Sequence, residues 1–142
     1  MQTPRVNIKL KNIEENADRM VKKAKKEGIN ITGVVKGSAG DIKVASAFVR
    51  GGIKSIGDSR IQNIMKLREA GFDEEMVLLR LPQLSEIEEV VKYADISLVS
   101  EIKTIKALND EALKQEKKHG IIVMVDVGDL REGVLPDDLV DF

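Results

Sequence analysis

The sequence contains no cysteine, which removes disulfides, thiolate metal sites and cysteine nucleophiles from consideration. Its single histidine, His119, sits in a basic run beside Lys117 and Lys118. A chain with one histidine and no cysteine is a poor candidate for zinc or for a Ser-His-Asp triad. Aromatic residues make up only 3% and tryptophan is absent, so no stacking platform for nucleobases is available. No charge of one sign dominates: 23 basic side chains face 24 acidic ones, and no global field favours nucleic acid or an anionic membrane. No stretch approaches the apolar length needed to span a bilayer, and the opening MQTPRVNIKLKNIEEN lacks the continuous apolar core of a secretory signal. A cytoplasmic location is the default expectation.

What is present is an ordinary globular composition, 42% hydrophobic and 33% charged over 142 residues, enough for one compact domain. Short β-like apolar runs alternate with longer helical stripes, without a Pro-rich or Ser-rich linker. The pattern predicts strands near residues 6–10, 31–36, 55–57, 76–81, 96–99 and 121–127. Helices fill the intervals: the first starts at Asn12 and ends near Gly28, and the last long one runs over 102–119 to Gly120. Ser59 with Gln62, and Ser85 with Glu88, have capping-box spacing and predict two further helix starts. Such alternation argues for parallel βαβ units with right-handed crossovers. A doubly wound sheet and a (β/α)8 barrel both fit. The turn after the expected first strand reads KLKNIEEN, not a Gly-rich phosphate fingerprint, which weighs against a dinucleotide-binding unit. Polar residues gather instead at successive strand ends: Lys36, then Asp58 and Arg60, Arg80, Ser100 and Glu101, and finally Asp126, Asp129 and Arg131. Contributions from many strand ends to one rim are what a barrel site requires, although a barrel needs eight units and about six are expected here.

Two of these residues are the strongest candidates for chemistry. Lys36 ends the run Ile-Thr-Gly-Val-Val and precedes Gly-Ser-Ala-Gly, so a long amine stands where a buried strand opens into a small-residue loop. A nucleophilic lysine needs partial desolvation and room beside it, whereas position alone favours a lysine that merely reaches solvent. Arg131 lies a few residues beyond the strongest β run, where its guanidinium could hold a phenolate or carboxylate, or pair with Asp129 or Glu132 across the loop. Arg80 is open to a ligand role or to pairing with Glu101 or Asp58. Residues 114–119 read as a solvated helix end.

Taken together, PRVNIKLKNIEEN, GVVKGSAGD, IGDSRIQNI, LLRLPQLSEIEEVVKYADISLVSE and IIVMVDVGDLREG, in this order over the whole chain, resemble the amino-acid racemases with an alanine racemase N-terminal domain, and most closely the ornithine racemase group. The resemblance implies an α/β fold, a (β/α)8 TIM-type barrel of fold type III. Residues 1–142 would form the N-terminal barrel domain, incomplete and without the family's β-rich C-terminal domain. It implies pyridoxal 5'-phosphate in the barrel mouth, Lys36 as the lysine that forms the Schiff base, and Arg131, in D-x-G-x-x-R-x-G, beside the cofactor's phenolic oxygen. A dimeric assembly and racemisation of a free amino acid by α-proton transfer follow from the same likeness, with an opposite-face tyrosine supplied by the partner's C-terminal domain. The chain by itself is then expected to be inactive. Where alanine racemases carry a stretch containing Tyr-Gly-His, this chain reads Gly-Ser-Ala-Gly-Asp, and Met124 stands at the position of their carbamylated lysine. These departures favour a longer substrate such as ornithine over alanine. A pyridoxal-phosphate-binding homeostasis protein without racemase activity is the alternative, and a barrel fragment serving only assembly is a third.

Overall fold

The computed structural model describes residues 6–142 as five parallel strands alternating with five α-helices. They are α1 (Leu10–Lys26), β1 (Thr32–Val34), α2 (Ile42–Arg50), β2 (Ser55–Asp58), α3 (Ile61–Glu69), β3 (Glu75–Leu78), α4 (Ile87–Tyr93), β4 (Ile96–Val99), α5 (Ile102–Lys114) and β5 (Gly120–Val123). Every neighbouring pair of strands is parallel and the spatial order is β1-β2-β3-β4-β5. That order decides between the two architectures. A doubly wound sheet reverses direction at a switch point, whereas unbroken sequential order is an arc of a barrel.

The two faces of the arc differ. Ile56, Met76, Leu78 and Val99 point outward and are buried with Ile64 and Leu67 of α3, Val90 and Val91 of α4 and Leu108 of α5. Each such Leu or Ile contributes roughly 1.5–3 kcal/mol by leaving water. The strand registers align Val34, Gly57, Val77, Ile96 and Gly120 in one row on the other, concave face. At the first strand of this row Val34 remains 44% exposed, because strands β1 and β5 have no neighbour across the mouth of the arc.

Some expectations fail. The strand predicted near residues 6–10 is absent: residues 6–9 carry no regular structure and α1 begins at Leu10. Alternation alone does not hold a strand that pairs with no other, and Val6 is 89% exposed. Five units, not six, are therefore built. The first helix has Lys9, not Asn12, at its N-terminus, and neither Ser59 nor Ser85 caps a helix. Ser85 lies within a 3-10 turn, Leu84–Glu86, ahead of α4. The long helix stops at Lys114 because Glu116 turns left-handed, at φ 53°, and Lys117 N–H closes on Ala112 O. Among the described residues no helix is long and apolar enough to cross a membrane.

Candidate active site at the C-terminal rim

Lys36 is separated from β1 by one residue, Val35, and opens a single 3-10 turn, Lys36–Ser38. The turn is wound around one carbonyl: Val35 O accepts from Ser38 N–H at 3.0 Å, Gly40 N–H at 3.2 Å and Ser38 Oγ–H at 2.9 Å. Val35 itself is buried and donates its N–H to Gly57 O, which ties the turn to β2. Ala39 and Gly40 then adopt φ 53° and 62°, and this double left-handed step brings the chain to Asp41. Ala39 bears a Cβ there and stores about 1 kcal/mol of strain, whereas Gly40 takes the conformation freely. Asp41 starts α2, its carboxylate accepting from the N–H groups of Lys43 and Val44. Lys36 is exposed and belongs to no ion pair among the described residues, so the expected partial desolvation is not found in the open arc. A Cβ built on Gly37 would meet nothing within 4 Å, so the turn has open space beside its second residue.

Asp58 ends β2 on the same rim and is fully buried. Its Oδ1 accepts from Arg60 N–H at 2.9 Å and from Asn63 Nδ2–H at 3.0 Å, while Oδ2 has no hydrogen-bond donor among the described residues. A buried acceptor left so costs about 1–3 kcal/mol, which makes Asp58 an expensive residue to keep for packing alone. Asp58, and not Ser59, therefore shapes the entry to α3. Arg60 is exposed at the N-terminus of that helix. Arg80 is half-buried; its nearest carboxylate is Glu86, at 4.0 Å, not the expected Glu101 or Asp58. Glu101 pairs with Lys103 instead.

Past β5 the chain forms a bend-rich loop whose shape comes from Asp126. Its Oδ1 accepts from Gly128 N–H at 2.8 Å and Leu130 N–H at 3.2 Å. The Gly128 N–H chiefly, with Leu130 and Asp129 helping, holds the Asp126 carboxyl below the ordinary carboxylate range against the opposing effect of desolvation. Gly133, at φ 141°, lets Val134 return to bridge with Val125, and any side chain there would run into the Asp126 backbone. Arg131 rides on this loop, exposed. The expected pairing with Asp129 or Glu132 does not form; Glu132 reaches across to accept from Leu81 N–H, at 3.3 Å, just beyond β3. Lys36 and Arg131 thus stand on one rim, at the first and fifth strand ends, and no hydrogen bond or ion pair joins them. A hollow of about 460 Å³ lies at the opposite end of the sheet, lined by Val21, Lys25, Ile29, Lys54 and Glu75, and contains no rim residue.

Residues 8–142 match the family described as alanine racemase, N-terminal domain. The chain belongs to this family. It is 42% identical over 134 residues to a lysine racemase of Thermotoga maritima, a match covering 94% of this chain and 38% of that protein. An ornithine racemase of Acetoanaerobium sticklandii is 40% identical over 130 residues, covering 92% of this chain and 36% of that protein. The chain therefore spans well under half the length of these relatives. Among solved structures, the alanine racemase of a D-cycloserine-producing Streptomyces lavendulae superposes with a TM-score of 0.80 at 21% identity, over 99% of this chain and 38% of that one. The likeness fixes the fold: the arc is the N-terminal part of a TIM-type barrel.

Asp41, Asp58, Asn63 and Asp126 are the site-shaping residues that sequence reasoning gave no such role. Asp58 and Asp126 were legible as strand-end rim residues but not as loop-shaping acceptors, and Asp41 had the signal of an Asp directly before the apolar helical stripe Ile42-Lys43-Val44-Ala45.

Proposed function

We propose that this chain is the cofactor-lysine-bearing part of a pyridoxal-phosphate-dependent racemase acting on a free diamino acid such as ornithine or lysine. The observation that carries the reading is Lys36 itself: an unpaired primary amine on the barrel rim, at the end of β1, in a turn of small residues with open space beside Gly37. A planar aldehyde cofactor needs such an amine and such room, so the residues fit it. Pyridoxal phosphate, when bound, supplies an electron sink that makes the substrate Cα proton removable.

In this reading Lys36 Nζ would hold the cofactor, and the same amine would accept or donate a proton at the substrate Cα on one face. Arg131 would hold the cofactor's ring oxygen through its guanidinium N–H groups and favour the ionised form. The opposite-face acid or base comes from outside these 142 residues, and the working enzyme is a cytoplasmic homodimer. The choice of a diamino acid rests on the names of the lysine and ornithine racemases above, and on Gly-Ser-Ala-Gly after Lys36.

The test is reductive trapping. After incubation with pyridoxal phosphate, borohydride reduction and digestion, mass spectrometry is expected to find the pyridoxyl group on the peptide containing Lys36, and Lys36→Ala is expected to abolish that adduct. Modification spread over surface lysines and unchanged by Lys36→Ala would overturn the assignment.

A further inference from the structure

We propose that Asp58 and Asn63 are positioning residues that brace the Lys36 turn from the neighbouring βα unit. The proposal rests on the reading of Lys36 as the cofactor lysine and names what holds that lysine in place.

The brace is a short path of contacts. Asp58 is immobilised by complete burial at the end of β2, and its Oδ1 grips Asn63 Nδ2–H at 3.0 Å. Asn63, in the first turn of α3, is packed against the Lys36 loop: a Cβ placed on Gly40 would lie 2.8 Å from Asn63 Cβ and 3.0 Å from its Cγ. Gly40 in turn donates its N–H to Val35 O, the carbonyl about which the Lys36–Ser38 turn is wound. The backbone closes the circuit, since Val35 N–H donates to Gly57 O, immediately before Asp58. The turn is thus held on one side by a strand hydrogen bond and on the other by the Asn63 side chain.

The need for a brace follows from the turn's own chemistry. It contains two glycines and two left-handed residues, and Lys36 makes no side-chain hydrogen bond or ion pair among the described residues. Nothing in the lysine's own contacts fixes where its amine is presented. Covalent capture of a cofactor is fast only when nucleophile and electrophile are held near the attack geometry, so rigidity must come from the loop's neighbours.

Hydrogen–deuterium exchange on the intact protein, with Asp58→Ala and Asn63→Ala beside wild type, reads the brace without any cofactor. Amide exchange across residues 36–41 is expected to rise about tenfold or more in both variants, while the β4 amides of Ile96–Val99 stay unchanged. Trapping of pyridoxal phosphate on Lys36 by borohydride is expected to slow about fivefold or more in both. Asp58→Asn keeps an oxygen for both donors and is expected to restore exchange and trapping together. Should Asp58→Ala fail to fold, Asn63→Ala decides alone, since its partly exposed side chain lies outside the core. Wild-type exchange at residues 36–41 in Asn63→Ala overturns the brace, whatever happens to trapping. A loosened turn in a protein whose Lys36 never traps the cofactor supports the brace and overturns the reading of Lys36.

Discussion

Ser97 is completely buried on β4, and its hydroxyl lies 2.8 Å from His119 Nε2. The other ring nitrogen, Nδ1, is 3.1 Å from Ala94 O, which can only accept. The neutral Nδ1–H tautomer therefore donates to Ala94 O, and Nε2 accepts from the Ser97 hydroxyl. Desolvation pushes the His119 pKa down, outweighing the Ala94 carbonyl and the nearby Asp95. The folded chain thus resists protonating His119 at a pH where the unfolded chain, near 6.5, already takes the proton. Folding linked to His119 is fully favourable above that pH and weakens as pH falls through it toward the lower folded value. Urea midpoints measured at pH 7.5 and 5.5 are expected to fall further for wild type than for His119→Gln, which keeps an acceptor for Ser97. Equal losses in the two proteins would mean that His119 carries none of the acid sensitivity.

At the scale of elements, the two ends of the strands are built differently. The N-terminal end is cross-tied by Arg68, whose guanidinium donates to Asp95 Oδ2 at 2.6 Å and to the carbonyls of Phe72, Glu74 and Tyr93. Asp95 Oδ2 also accepts from Met76 N–H at 2.7 Å, so α3, β3 and the approach to β4 share one charged clasp. The C-terminal rim is shaped by single carboxylates instead, and Asp41 is the simplest to test. Asp41→Ala removes two charge-assisted bonds to the first turn of α2 and is expected to destabilise the protein by roughly 1 kcal/mol, read as a lower urea midpoint with an unchanged slope. An unchanged midpoint would mean that solvent caps the helix equally well. These contrasts mark the limits of what could be read from sequence. Periodicity located β1 to β5 because short apolar runs alternate with helical stripes, although β5 carries no buried residue, and β4 was bounded to the residue. It mistook 6–10 for a strand because alternation records a face, not a partner. The Ser59 cap failed because Asp58, one residue earlier, supplies the acceptor, and the Ser85 cap failed because Ser85 lies inside a 3-10 turn ahead of α4. Lys36 is singled out as a candidate by a family motif and not by its position, while the contact between Asn63 and Gly40 joins separate βα units and leaves no local pattern.

Over the whole molecule, the candidate site and the Arg68–Asp95 clasp lie at opposite ends of the strands, and closure is what the described arc lacks. A barrel of this kind needs eight strands, and five in sequential order leave β1 and β5 as open edges. The β5 edge is apolar on both faces: Ile121 is 42% and Ile122 48% exposed, and Leu113 of the adjoining α5 is 70% exposed. Unpaired backbone beside exposed β-branched side chains is a template for pairing with another chain. A polypeptide confined to residues 1–142 is therefore expected to self-associate, its mass in sedimentation equilibrium rising with concentration. Ile121→Lys with Ile122→Lys should shift it toward monomer, because a charged edge resists strand addition. The same polypeptide is expected to give no racemisation of ornithine or lysine above cofactor-only controls, and under the proposed function a chain of the relatives' full length is expected to give it. A missing acid–base partner alone typically lowers the rate by a factor on the order of a hundred to ten thousand, and an open arc holds Lys36 and Arg131 on a rim that solvent fills. Robust turnover by a monomer of these 142 residues would mean that five units suffice for the chemistry, and the incomplete-barrel reading would fall.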